Sequence, residues 1–238
     1  MVARRKSWGD RDGGREKTPV RVPSVRYPER DGKPMAETQV HAQEIIRLML
    51  TLADRYADRP DVYVWGDLLL YYEEGNPKAS VAPDVFVAVG AAKEPPRRIY
   101  KLWEERVPPT FVIEVTSAST RREDLGRKRD LYARLGVSEY VLYDPLGEYL
   151  SPALQGFRLD LDAGAYRAME TDSTGALLSD ALGLRLVLVE GRLTLFDRET
   201  GAALLSPSEQ AAVEREGRQA AERRVAELEA ELRRRGRP

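Results

Sequence analysis

The chain of 238 residues contains no cysteine and a single histidine, His41. The absence of cysteine excludes a disulfide scaffold and thiolate metal sites, and it fits a reducing compartment. A catalytic triad, a zinc deaminase site and a zinc protease motif are nearly excluded, because each needs at least one well-placed imidazole and usually several.

Long apolar runs and a strong net charge are missing as well. No run of about 18 apolar residues exists and no apolar stretch follows the Arg-rich beginning, so neither a membrane span nor a secretory signal is predicted. The cytoplasm is therefore the expected location. Lysine and arginine number 38 against 39 acidic residues, so any attraction to nucleic acid must be local.

What is present is typical of one globular domain with tails. Hydrophobic residues make up 42% and charged residues 32%, and the excess of charge lies largely at the two ends. We expect a flexible basic arm over residues 1–33, a domain over 34–205 and a charged helix over 206–238. The arm has ten Lys or Arg against five acidic residues, and either a solvated leader or a DNA contact explains it.

Apolar periodicity predicts an α/β order of elements. Helices are expected at about 38–57, 99–105 and 119–135. Strands are expected at nine places, the first three forming a meander: 62–65, 68–72, 81–89, 110–116, 139–144, 157–161, 165–170, 184–189 and 192–197. The strand at 110–116 is apolar on both faces and hence central, and the helix and strand that follow it suggest a crossover within one sheet.

Three charged residues stand where apolar residues are expected. Asp84 and Glu114 each interrupt an apolar strand, and Lys128 lies on the inward face of the helix predicted at 119–135. An unpaired buried charge is costly, so these side chains must contact one another or a metal ion. Two carboxylates on neighbouring strands, with the Val115 backbone carbonyl close by, are the hard oxygen ligands that Mg²⁺ or Mn²⁺ prefers. Lys128 is then placed to orient a water molecule or to stabilise charge on a phosphate.

A purely structural interpretation explains the same pattern. In it, Asp84 is a turn residue, and Glu114 forms a buried ion pair with Lys128 or Lys128 extends its ammonium group to water. Periodicity alone does not distinguish this interpretation from a metal site, because buried charges also occur in structural networks.

Longer motifs in the chain resemble a known family. Pro83-Asp84 followed by Glu114-Val115-Thr116 is similar to the PD-(D/E)XK nuclease pattern. A resemblance to the bacterial Uma-two family of restriction endonucleases spans about residues 36–200. It is carried by Ile-Glu-Val-Thr-Ser-Ala-Ser-Thr at 113–120, Asp124, Lys128, Tyr132, Gly136-Val137, Glu139-Tyr140 and Tyr143-Asp144-Pro145.

This resemblance implies an α/β, restriction-endonuclease-like fold: a mixed β-sheet flanked by helices, here with extra C-terminal β-hairpins and a helical tail. It also implies that Asp84 and Glu114 are metal ligands and that the enzyme hydrolyses DNA with Mg²⁺ or Mn²⁺. The general nuclease pattern has a lysine two residues after the glutamate, where this chain has Thr116. Lys128 resembles a migrated replacement for that lysine.

Other residues are accessory candidates. Glu44 on the first helix is a further acid of the site or a solvated helix residue. Asp67 is a metal ligand or part of an ordinary turn, and Thr116 shares a strand face with the glutamate of the motif. Asp124 is placed to brace the lysine four residues later, and His41 is interpreted as a surface or packing residue.

Three functions are compatible with these residues. The first is a metal-dependent endonuclease that acts on DNA. The second is a nuclease-fold module without turnover that binds nucleic acid or protein. The third is a glycoside hydrolase with paired carboxylates, which the buried strand of Glu114 and the presence of Lys128 disfavour.

The C-terminal segment is rich in Ala, Glu and Arg and has its own apolar spacing. Its apolar positions step by 4, 3 and 4 residues: Ala221, Val225, Leu228 and Leu232. This spacing predicts either a short coiled coil, with a second copy of the chain as partner, or an isolated surface helix.

Overall fold

Strands form the centre of the domain in the computed structural model, which describes residues 25–30, 32 and 38–235. In chain order the strands are β1 (Val62–Trp65), β2 (Leu70–Tyr71), β3 (Ser80–Val81), β4 (Val85–Val89), β5 (Tyr100–Lys101), β6 (Phe111–Val115), β7 (Glu139–Tyr143), β8 (Leu154–Asp160), β9 (Ala165–Ala168), β10 (Leu177–Ser179), β11 (Leu184–Val189) and β12 (Arg192–Asp197). The helices are α1 (Gln39–Arg55), α2 (Leu102–Glu105), α3 (Arg121–Glu123), a π-helical turn (Asp124–Lys128), α4 (Arg129–Leu135) and α5 (Pro207–Arg235).

One mixed sheet of six strands carries the candidate site. Its order is β1-β4-β6-β7-β8-β9, and β6 and β7 are its parallel pair, joined by the helical segment from α3 to α4. The other neighbouring strands in this sheet run antiparallel. The predicted crossover and the predicted mixed sheet flanked by helices are therefore confirmed.

Side chains of the central strands alternate between two cores, one on each face of the sheet. Val85, Ile113 and Val115 pack in the core that contains α1 and the sheet of β10, β11 and β12. Phe86 and Val112 pack in the core under α4, where Tyr132 and Tyr140 are fully buried. The sheet is thus covered on both faces, as the apolar sequences of β4 and β6 require.

The predicted meander of the first three strands is wrong. β1 pairs with β4, whereas β2 pairs with β3 and β5 in a separate three-stranded sheet. Two local features separate them: Asp67 has a left-handed backbone after β1, and Pro83 interrupts the apolar run between β3 and β4.

Helix α1 begins with a side-chain cap and buries one face. Thr38 accepts a hydrogen bond from the His41 amide, and the buried positions of α1 include Ile45, Leu48 and Leu52. The helix ends at Arg55, two residues before the predicted end. Gly136, with a φ of 82°, ends the helical segment of α4, as predicted from its position after the last apolar residue.

Two other expectations need correction. Of the predicted helix at 99–105, Tyr100 and Lys101 form β5, because their backbone pairs with β2, and only Leu102–Glu105 is helical. Strand β10 was not predicted, since it has three residues and no clear alternation, and it is formed by pairing with β11.

The ends of the chain are described only in part. The basic arm predicted over residues 1–33 lies outside the described residues except for 25–30 and 32. In that part, Tyr27 packs on Tyr71 and Trp103 with ring centroids 5.0 and 5.3 Å apart. At the other end, α5 has no buried residue. Among the described residues, no helix combines the length and apolar character needed to cross a membrane.

Candidate active site

The two anomalous carboxylates lie side by side. The antiparallel register of β4 and β6 pairs Val85 with Ile113, which places Asp84 opposite Glu114 at the end of the ladder. The Val115 backbone N–H donates to Asp84 Oδ2 at 2.8 Å. Opposite residues of an antiparallel pair point to the same face, so both carboxylates face the helical segment that contains Lys128. Glu114 is fully buried, whereas the Asp84 side chain is 18% exposed.

The lysine reaches this pair from the π-helical turn. Lys128 Nζ lies 2.7 Å from Glu114 Oε2 and 3.0 Å from Asp124 Oδ1. Asp124 and Lys128 are four residues apart within the π-helical turn and both are buried, an arrangement often found at functional sites. Lys128 does not extend to water, because it is only 8% exposed. Asp124 contacts Lys128 as its spacing suggested.

Tyr132 completes the contacts of Glu114. Its hydroxyl donates to Glu114 Oε1 at 2.7 Å, one helical turn beyond Lys128. Both carboxylate oxygens of Glu114 therefore have a donor, one cationic and one neutral. Tyr132 is predicted on the inward face of its helix and belongs to the family motifs, but these patterns assign its hydroxyl no role. A buried tyrosine hydroxyl needs a partner, which is the signal that was available.

The charges of the site do not cancel. Burial raises the pKa of Glu114 well above its usual range; Lys128 opposes this shift, and the nearby Asp84 and Asp124 carboxylates reinforce it. Burial alone would lower the pKa of Lys128, but the three carboxylates outweigh it and the pKa is raised. Lys128 therefore holds its proton more tightly than a free lysine does, and three carboxyl groups lie around this one cation.

His41 lies beside this site and is buried, so of its two interpretations, a surface or a packing residue, the first is wrong. It is 5% exposed, and its Nε2 lies 3.7 Å from Asp84 Oδ2. The available signal was its spacing: His41, Ile45 and Leu48 are four and three residues apart and share the inward face of α1.

The accessory candidates have three different environments. Glu44 is not solvated: it is 7% exposed and bonded to Arg47 and Arg192, because the inward face of α1 meets β12 at this point. Asp67 is exposed, and its N–H donates to the Pro83 carbonyl at 2.9 Å, which keeps it beside Asp84. Thr116 is buried, and its hydroxyl has no hydrogen-bond partner among the described residues.

The residues present fit a divalent cation of the magnesium type. The donors are carboxylate oxygens of Asp84 and Glu114, and the buried Thr116 hydroxyl next to them lacks a partner in the described part of the chain. No group of three or more His, Asp or Glu side chains in that part is spaced to hold an ion by itself. Mg²⁺ is often bound by two carboxylates while water fills its other coordination positions, because it keeps part of its hydration shell.

A mixed sheet flanked by helices, with two opposed carboxylates and a lysine on one face, defines a restriction-endonuclease-like protein. The chain belongs to the Uma2 family, described as "Putative restriction endonuclease", whose model matches residues 17–195. The crystal structure of a putative nuclease belonging to DUF820 from Anabaena variabilis is similar at 14% identity and a TM-score of 0.45, over 72% of this chain and 81% of that one. No curated protein matches the chain by sequence.

Proposed function

We propose that this protein is a metal-dependent endonuclease that hydrolyses phosphodiester bonds of DNA with Mg²⁺ or Mn²⁺. The observation that carries the proposal is the crowding of three carboxyl groups around one lysine. A structural ion pair needs one acid for one base, whereas Lys128 faces Glu114, Asp124 and Asp84. A second positive charge would relieve their repulsion, and a divalent cation is the group that supplies it.

Asp84 and Glu114 would hold the ion, and Asp84 is the carboxylate with access to solvent. A divalent cation bound there supplies positive charge to a phosphate and acidifies a water molecule. Tyr132 fixes the orientation of Glu114 through its hydrogen bond to Oε1. Such support from a buried donor keeps a carboxylate in one geometry before substrate arrives.

Lys128 has a hydrogen left for the substrate. An ammonium group has three donors. Glu114 Oε2 accepts one of them at 2.7 Å, and a second faces Asp124 Oδ1 at 3.0 Å in an ion pair that is not a hydrogen bond. The third is available to a phosphate oxygen or to the attacking water. Because Lys128 stays protonated, it would stabilise the negative charge that develops in the transition state, in the position where the general nuclease pattern places its strand lysine.

Contacts to the nucleic acid backbone would come from single arginines near the site. Arg97, Lys101 and Arg127 are each paired with a glutamate, so their charge is largely compensated. Arg121 and Arg122 are exposed where the helical segment leaves β6, which brings two cations close to the carboxylates. Phosphate contacts of this kind position a substrate without reading its sequence.

Cleavage of supercoiled plasmid DNA by the purified protein tests the proposal. We expect nicking with Mg²⁺ or Mn²⁺ and none with EDTA, and a fall in rate of at least roughly a hundredfold for Asp84→Asn and Lys128→Ala. Arg127→Ala is the matched control, because it neighbours the lysine but is exposed and paired with Glu123. An RNA of the same sequence, assayed in parallel, checks the preference for DNA.

The divalent ion is tested separately from turnover. Binding of Mn²⁺, measured by calorimetry, should weaken in Glu114→Gln and remain in Asp130→Asn, whose carboxylate is exposed on the same helical segment. Unchanged Mn²⁺ affinity in Glu114→Gln would remove the metal role of Glu114. A folded wild-type protein that binds DNA but never cleaves it would favour the alternative function, a nuclease-fold binding module.

We also propose a second copy of the chain as a partner of α5. Val225, Leu228 and Leu232 are 55%, 43% and 70% exposed and lie on one side of this helix. If two α5 helices pair in parallel through these residues, Arg224 of one copy faces Glu229 of the other. Opposite charges at such flanking positions favour the pairing.

A further inference from the structure

Trp65 is the largest exposed apolar side chain near the candidate site. It is 47% exposed at the end of β1, although the other aromatic residues on its sheet face, Tyr63 and Phe86, are buried. A half-exposed indole offers an apolar ring face to a binding partner, and tryptophan is enriched at such contacts. The environment of Trp65 indicates what that contact is.

The position of Trp65 is set relative to Asp84. In the register of β1 and β4, Trp65 pairs with Phe86, which is two residues from Asp84. The ladder ends at this pair, and Asp84 lies just before the first residue of β4. Gly66 holds this geometry, because a Cβ at residue 66 would lie 2.3 Å from the Asp84 carbonyl oxygen. The backbone that carries the indole is thus close to the backbone that carries the solvent-accessible carboxylate of Asp84.

A cavity of about 280 Å³ adjoins the indole ring, and its wall combines flat apolar groups with charged residues of both signs, including the acid Glu94. Trp65, Tyr63 and Pro96 provide the apolar surface. The Arg97 guanidinium stacks over the Tyr63 ring at 4.2 Å and is held by Glu105. Lys93 also lines the cavity, and its ammonium group donates to the carbonyls of Tyr56 and Ala57 at the end of α1.

We propose that Trp65 is a stacking surface for an unpaired base of the substrate strand, next to the phosphodiester that is cleaved. This inference rests on the proposed nuclease function and specifies its substrate class: nucleic acid with a single-stranded segment at the site. Aromatic side chains bind bases through their faces whatever the base, and the Lys93 ammonium group in the same wall is a cation that can attract the backbone. A base inside a closed duplex has no free face, so the contact selects for an unpaired one.

Binding is tested without turnover, in EDTA, with a fluorescently labelled single-stranded oligodeoxynucleotide and a blunt duplex of the same sequence. We expect Trp65→Ala to weaken single-strand binding roughly 5- to 150-fold, the range that corresponds to stacking on one base. Trp65→Phe should retain most of the affinity, because it keeps a ring. Val189→Ala, whose side chain is 46% exposed on another part of the domain, should bind as the wild type does.

The fluorescence of Trp65 itself tests the contact without the Trp65→Ala variant. The chain has three tryptophans, so replacing Trp8 and Trp103 by phenylalanine leaves Trp65 as the only one, and excitation at a wavelength that tyrosine does not absorb reports on it alone. The single strand should quench its emission, and the blunt duplex should not. Unchanged emission, equal affinity of Trp65→Ala and wild type, or an equal loss on single strand and duplex would overturn the proposal. A change of oligomeric state in Trp65→Ala would also overturn it, since the indole would then cover a second copy.

The outcome for Trp65 is separable from the outcome for catalysis. If the single strand quenches Trp65 but no DNA is cleaved with Mg²⁺ or Mn²⁺, the nuclease proposal fails and the stacking surface remains. If DNA is cleaved but Trp65→Ala changes neither binding nor the Michaelis constant, the stacking surface fails alone. Support for both requires that Trp65→Ala raises the Michaelis constant while the rate at saturation is largely kept.

Discussion

At the scale of single residues, the buried charges of the site depend on one another. Removing one partner of a buried ion pair leaves an uncompensated charge, which usually costs more than the pair itself contributes. In Lys128→Met, Glu114 and Asp124 both lose their cation. We expect the free energy of unfolding, measured with urea in the presence of EDTA, to fall by about 3–5 kcal/mol.

The double variant Lys128→Met with Glu114→Gln provides the control for this prediction. Because the second substitution removes one of the stranded charges, it should recover part of the stability lost in Lys128→Met. If the stability lost in the double variant equals the sum of the losses in Lys128→Met and in Glu114→Gln, the ion pair at 2.7 Å has no energetic coupling.

Glu44 gives a prediction that separates a structural acid from a metal ligand. It is bonded to Arg47 and Arg192, and Arg47 also donates to the Leu193 carbonyl at 2.6 Å. Glu44→Gln should lower the free energy of unfolding by about 3 kcal/mol, because the buried Arg47 loses its counter-charge. Mn²⁺ affinity, measured by calorimetry, should be unchanged; a clear loss of affinity would instead make Glu44 a ligand.

The sequence contained most of the information on the charged residues of the site. Asp84, Glu114 and Lys128 were visible because each interrupts an apolar pattern, and the structure brings all three together. Tyr132 and His41 were harder to assign, since a tyrosine or a histidine on an inward helix face fits a core as well as a site. Their partners are set by tertiary contacts, which periodicity does not describe.

At the scale of elements, the close contact between the end of β1 and the start of β4 places the site. A Cβ at Gly66 would lie 2.3 Å from the Asp84 carbonyl oxygen, and backbone cannot move aside cheaply. Gly66→Ala should therefore displace Asp84. We expect a loss of about 1–3 kcal/mol in the free energy of unfolding and of most plasmid cleavage.

Gly156→Ala is the matched control for Gly66→Ala. A Cβ there meets the ends of two flexible side chains, Met169 Sδ at 2.7 Å and Leu177 Cδ1 at 2.8 Å, rather than backbone. Some stability should be lost, with cleavage retained once the protein is folded. If both variants lose cleavage equally, the effect of Gly66→Ala comes from general destabilisation and not from Asp84.

Element boundaries could be predicted where a local signal marks them, and pairing partners could not. Gly136 and the two apolar strands β6 and β7 were evident from the sequence. The pairing of β2 with β5 depends on a neighbour that is distant in the chain. Strand β10 pairs with the next strand, but its three residues are too few to show an alternation. The π-helical turn was not predicted either, because it differs from an α-helix in hydrogen bonding and not in composition.

At the scale of the whole molecule, α5 extends away from a domain that is otherwise folded around two cores. Its link to the domain is polar: Arg192 of β12 contacts both Glu44 of α1 and Glu209 of α5, and Gln210 contacts Asp54. The rest of α5 is exposed along its whole length. Isolated helices of this kind are marginally stable in water unless they pack on a partner.

Self-association through α5 is the prediction that follows at this scale. Leu228→Ala should shift the protein toward the monomer in sedimentation experiments, whereas Leu161→Ala, 85% exposed on a hairpin, should not. Parallel pairing can also be tested through the charged residues that flank the apolar positions. Arg224→Glu places like charges opposite Glu229 and should weaken association, and adding Glu229→Arg should restore it by exchanging the two signs. A protein that is monomeric at all concentrations contradicts parallel pairing. A double variant that still associates weakly contradicts it as well, because the exchanged charges would then not face each other.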